Sequence, residues 1–89
     1  MTIQKIKEIL QTKLKPIYLK INNTSHNPKN NIITHIQIII VCKQFDNQNL
    51  LKRHQLIYQI LENNILKQIH SISLNTYSIS EWNKKNNFN

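Results

Sequence analysis

The chain reads as a small α+β domain. Its elements run α-β-β-α-α-β-α and fold into a three-stranded mixed sheet with helices packed on one face. Three observations predict this. Two segments of period-two hydrophobicity, 17–22 and 34–43, are joined by a polar loop with no helix, so they should pair antiparallel. A helical stretch then leads to a third period-two segment at 70–76, and such a crossover is right-handed and leaves strands two and three parallel. Eighty-nine residues allow one domain with a thin core.

Each element has its own signal. Ile3, Ile6, Ile9, Leu10 and Leu14 fall at helical spacing, with Lys5, Lys7 and Lys13 largely off the stripe. Thr2 is the candidate cap, and Pro16 ends the helix because the residue before a proline leaves the helical region. Ile17, Leu19 and Ile21 alternate with Tyr18, Lys20 and Asn22 as a half-buried strand. Asn22 to Asn31 is a polar loop. In strand two Ile36, Ile38, Ile40 and Cys42 share one face, and His35, Gln37, Ile39 and Val41 the other.

Asp46-Asn47 marks a turn in which Asn47 can take the left-handed conformation that glycine usually supplies. Leu50, His54, Ile57, Tyr58 and Leu61 then form a helical stripe. Asn63-Asn64 breaks it, and Ile65, Leu66 and Ile69 give a short second helix or turn. Strand three sets His70, Ile72, Leu74 and Thr76 against Ser71, Ser73 and Asn75. Ser78-Ile79-Ser80-Glu81 is a capping-box pattern that opens a short C-terminal helix through Trp82. Residues 1–83 form the domain, and 84–89 are expected to be a polar tail.

The net charge is +8, from 12 Lys and Arg against 4 Asp and Glu. A positive surface favours nucleic acid or an acidic partner. Glycine and alanine are absent while Asn, Ile and Lys are abundant, the signature of an AT-rich coding sequence, so lysine drift explains part of this charge. The base composition of the coding DNA checks that hypothesis. No run of five like charges forms a basic arm.

The lone Cys42 excludes an internal disulfide and any CxxC metal knuckle, as expected of a reducing, cytoplasmic protein. The longest apolar run, Ile38 to Cys42, is far below the ~18 residues of a membrane span. The four acids, Glu8, Asp46, Glu62 and Glu81, fit helix surfaces, a turn and a cap. With no Gly-rich loop, paired carboxylates or nucleophile elbow, the chain is not expected to be an enzyme.

A set of anchors in order resembles the BolA family. They are Leu14-Lys15-Pro16 before strand one, Asn23-Thr24-Ser25-His26-Asn27-Pro28 in the loop, Thr34-His35 opening strand two, and Phe45 after it. Arg53-His54 follows in the helix, then Ile69-His70 opening strand three, and Glu81-Trp82 closing the domain. The resemblance covers about residues 3 to 83, and Arg53-His54 points to BolA proper over its sister branch. The chain departs from the family in lacking the usual glycines in the loop and after Phe45. Ser71 replaces a usual alanine, and Gln55 replaces a frequent second arginine.

The resemblance implies a fold like the class II KH domain without its GXXG loop, and a glycine-free chain disfavours KH-type clamping of RNA on its own residues. It implies two functions. One is pairing with a monothiol glutaredoxin and sharing a [2Fe-2S] cluster, with no cofactor in the isolated chain, which is a monomer or weak homodimer. The other is DNA binding as a transcriptional regulator of stress response and cell morphology, without a cluster.

The resemblance implies His70 as the cluster ligand and His26 as a position that can supply a second, and imidazole can replace thiolate on one iron of such a cluster. Their plain alternatives are an end cap on strand three and a solvated loop side chain. His54 is expected to be structural and Cys42 a core residue. Lys52, Arg53 and Lys67 are the candidate nucleic-acid contacts, with Arg53 expected to point off the apolar stripe. Helix two, the 63–64 break and 65–68 have the outline of a helix-turn-helix, but one cation, Lys67, on its second arm argues against base reading.

Overall fold

An amphipathic helix closed by proline, and a central strand made largely of isoleucine, set the frame of the molecule. The computed structural model describes residues 3–25, 33–61, 69 and 71–86. They form α1 (Ile3–Leu14), β1 (Tyr18–Asn23), β2 (His35–Val41), a 3-10 turn (Lys43–Phe45), α2 (Leu50–Leu61), β3 (Ser71–Tyr77) and α3 (Ile79–Asn86). The Thr2 cap, the Asn63-Asn64 break and the Ile65–Gln68 helix lie outside the described residues.

The sheet order is β1-β2-β3. β1 and β2 are antiparallel, with Ile21 opposite Ile38. β2 and β3 are parallel, with Ile38 opposite Leu74. The mixed topology follows the connections: a loop can only turn β1 back on β2, whereas α2 carries the chain across to start β3 at the same end as β2. Ile6, Leu10 and Leu14 of α1, Ile57 and Leu61 of α2, and Phe45 bury themselves against Ile36, Ile38, Ile40 and Cys42. Each such side chain, removed from water, contributes about 1.5–3 kcal/mol.

Two turns among the described residues use left-handed residues. Lys15 closes α1 at φ 45°, its N–H donating to Gln11 O at 3.1 Å, and Pro16 prevents continuation. Asn47 has φ 61° in the turn before α2, as expected of a residue standing in for glycine. Asn49 caps α2 by accepting the Lys52 N–H on Oδ1 at 2.9 Å.

Three expectations are corrected. Ile17 does not join the apolar face of β1. It lies beyond the last register pair, Tyr18–Val41, and is exposed. The buried row of α2 is Arg53, Ile57 and Leu61, at i, i+4 and i+8, while Leu50 and Tyr58 are exposed and His54 is half-buried. The last helix does not stop near Trp82 but runs to Asn86, whose Nδ2 donates to Trp82 O at 3.0 Å.

Candidate functional site

Arg53 is 6% exposed, at the junction of α2, β3 and α3. Its Nε donates to Gln48 O at 2.8 Å, Nη1 to Thr76 O at 3.3 Å, and Nη1 and Nη2 to the Glu81 carboxylate at 2.7 and 3.3 Å. The guanidinium carbon also stands 5.8 Å from the centre of the Phe45 ring. Glu81 completes the expected capping box: its Oε1 accepts the Ser78 N–H at 2.7 Å and its N–H donates to Ser78 Oγ at 3.2 Å. One carboxylate therefore caps α3 and ties it to α2. The expectation that Arg53 points off the stripe is overturned, because its donors are committed inside the protein and little of its surface is left for phosphate.

The Arg53 guanidinium, and then the Ser78 N–H, lower the Glu81 carboxyl from its ordinary 4.5 to about 2. With the folded-state value below the unfolded one, the ionised carboxylate stabilises the fold above about pH 4.5. That stability is lost as pH falls from 4.5 toward 2. Glu81→Gln is expected to flatten this part of the acid-unfolding curve followed by circular dichroism. A variant as acid-sensitive as the wild type over that range would contradict the assignment.

At the other end of the sheet, β2 gathers the ends of the polar loop and the start of β3. Ser25 Oγ accepts the N–H of Thr34 at 2.9 Å and of His35 at 3.1 Å, and Thr24 N–H donates to His35 O at 2.9 Å. Ser71 N–H donates to Thr34 O at 3.1 Å. His35 Nδ1 lies 2.9 Å from Thr34 Oγ1. Ser25 and Ser71 are the covalent neighbours of His26 and His70, so the chain on either side of this corner carries both candidate ligands. His26, His70 and Lys67 themselves lie outside the described residues.

Among the described residues, no three of His, Cys, Asp and Glu come together as a metal site. Cys42 is fully buried, and burial pushes its thiol above the ordinary value, which disfavours a thiolate ligand. Lys52 is exposed and lines a shallow groove with Gln48, Gln55 and Tyr58.

The opposite face of the sheet holds features that the sequence reading did not single out. Trp82 stacks on Tyr18, ring centres 4.9 Å apart, and meets Tyr77 at 5.3 Å. Tyr18 and Tyr77 both pair with Val41, so the three rings close over that fully buried side chain. Period-two parity placed Tyr18 and Val41 on this face, but nothing local tied Trp82 to them.

The described chain is thus an α+β domain in which two helices cover one face of a mixed three-stranded sheet and a capped third helix is bonded back across the sheet end. It belongs to the BolA-like protein family, whose family model matches residues 10–81. It is 39% identical over 87 residues to the uncharacterized protein BU473 of Buchnera aphidicola subsp. Acyrthosiphon pisum, covering 96% of this chain and 84% of that protein. It is 30% identical over 81 residues to the DNA-binding transcriptional regulator BolA of Escherichia coli, covering 89% and 77% of the two chains. The solved structure of BolA1 from Arabidopsis thaliana superposes with a TM-score of 0.75 at 31% identity, covering 88% of this chain and 92% of that one. No helix among the described residues is long and apolar enough to cross a membrane.

Proposed function

We propose that this chain is a non-enzymatic regulator of the BolA type that pairs with a monothiol glutaredoxin and shares a [2Fe-2S] cluster with it, in iron–sulfur, stress and morphology control. His70 is the principal ligand and His26 the second. The observation that carries the reading is the convergence on Thr34–His35 of Ser25 and Ser71, the neighbours of these two histidines. On this reading the chain supplies imidazole and the partner supplies the remaining thiolate ligands. When bound, the cluster supplies a one-electron redox centre, and histidine ligation raises its potential relative to all-thiolate ligation. The chain's own part on this reading is to supply the two imidazoles, whose sequence neighbours Ser25 and Ser71 are bonded to Thr34–His35.

His70→Ala is expected to abolish the absorption and circular dichroism bands of the mixed cluster formed on co-expression with glutaredoxin. An unchanged spectrum would sink the ligand assignment. If His26→Ala leaves the spectrum untouched, His26 is not the second ligand.

A second reading, DNA binding without a cluster, is favoured by the name of the Escherichia coli relative and by the +8 charge. Arg53 is removed from its contact set by burial, which leaves exposed Lys52 as the described member. Affinity for duplex DNA that falls steeply with salt is the expected signature.

A further inference from the structure

We infer that the sheet face opposite α1 and α2 is a binding surface for single-stranded nucleic acid, with bases stacking on Tyr18 and Trp82 and phosphates held by Lys20 and Lys85. The inference rests on the second reading above, that the chain engages nucleic acid, and places the contact on a surface other than the groove beside Lys52.

Register and parity define the face. Leu19 and Ile21 turn toward the helices, so Tyr18, Lys20 and Asn22 turn away from them. At one end Trp82 lies on Tyr18 and Tyr77. Covering Val41 does not use up these rings: Tyr18 remains 38% exposed and Trp82 half-buried. Lys85 Nζ sits 5.5 Å from the centre of the Tyr77 ring, which brings a cation to the same cluster.

Next to the rings an amide ladder crosses all three strands. Asn22 Nδ2 donates to Gln37 Oε1 at 3.0 Å, and Gln37 Nε2 donates to Asn75 Oδ1 at 3.1 Å. The ladder sets three amide side chains on this face, groups of the kind that donate to and accept from base edges.

The charge balance selects the occupant. The three strands contain no acid. Of the described carboxylates, Glu8 lies in α1, Asp46 in the turn after the 3-10 segment, and Glu81 is bonded to Arg53. Aromatic rings, amides and lysines on an acid-free sheet match the stacking platforms that hold splayed bases. They do not match a duplex, whose bases are already stacked and offer no free ring face.

The test uses the intact chain with labelled oligothymidylate and oligouridylate of about 12 nucleotides, within the site sizes of stacking folds, and a duplex of the same length. Anisotropy reports binding. The emission of Trp82, the one tryptophan in the chain, reports contact at this face. Single strands are expected to bind more tightly than the duplex and to quench Trp82. With two phosphate contacts, log Kobs should fall against log salt with a slope of about −1.4.

Lys20→Glu/Lys85→Glu changes exposed residues, so the fold should survive, and is expected to weaken binding about tenfold or more. A preference between the two homopolymers, with quenching, identifies DNA or RNA as the source and supports the surface. Binding that leaves Trp82 emission unchanged and is lost in Lys52→Glu but kept in the double variant overturns this surface while the nucleic-acid reading stands. No binding to any of the three probes at low salt overturns both.

Discussion

Arg53→Met is expected to destabilise the fold by about 2–3 kcal/mol, the larger share coming from acceptors left without donors. Methionine fills much the same space but strands Gln48 O and Thr76 O, which receive Nε and Nη1 in the wild type. It also strips Glu81 of its ion partner. The side chain of Glu81 is 50% exposed, so water rehydrates the freed carboxylate and the loss stays below that of a fully buried pair. For a domain of this size the melting temperature should fall by roughly 10–20 °C. Arg53→Lys should recover only part of this, because an ammonium cannot reach two carbonyls and both carboxylate oxygens in one plane. A melting temperature within a few degrees of wild type for Arg53→Met would show that the lock is incidental.

Ile38→Ala should be costlier still, at about 3–5 kcal/mol. Ile38 is 0% exposed at the middle of the central strand, opposite Ile21 on one side and Leu74 on the other. Sheet and helices enclose it, so the cavity left by three methyl or methylene groups cannot collapse. Small domains have about 5–15 kcal/mol in total, and one with so thin a core lies toward the low end. Ile38→Ala is therefore expected to be largely unfolded at 37 °C. Ile39→Ala, one residue along and on the half-exposed opposite face, should cost no more than about 1.5 kcal/mol. Urea unfolding of the pair decides the matter: equal midpoints would mean that the face assignment of β2 is wrong.

That assignment was legible because alternation along a strand carries its own signal. Ile36, Ile38, Ile40 and Cys42 recur every second residue, and all four are core. The first helix was equally plain, since its isoleucines and leucines interrupt a lysine-rich background and Pro16 marks the end. The rotation of α2 was not. Leucine and isoleucine occur on several of its sides, so the stripe through Leu50 and Tyr58 looked as good as the true row. An arginine is read as a surface residue unless its partner is known, and Glu81 lies 28 positions away. The capping box at Ser78 was visible because both its residues are local, whereas the second role of its glutamate was not. The extension of α3 to Asn86 was missed because Asn83, Lys84 and Lys85 present no apolar period.

For the candidate site, the frame rather than the ligands is on view. The bonds made by Thr24, Ser25 and Ser71 around Thr34–His35 describe a corner. The choice of His70 and His26 comes from the order of residues shared with the family. Burial of Arg53 and exposure of Lys52 change the basis of the alternative, since the Arg-His pair that resembles the family serves the fold through its arginine.

The most direct test of the proposed role is the visible circular dichroism of the wild-type chain co-expressed and purified with a monothiol glutaredoxin. The cluster-sharing reading predicts a stable complex whose bands differ from those of the glutaredoxin's own cluster. A glutaredoxin that assembles its cluster normally alone, and whose spectrum is unchanged when this chain is present, would contradict it.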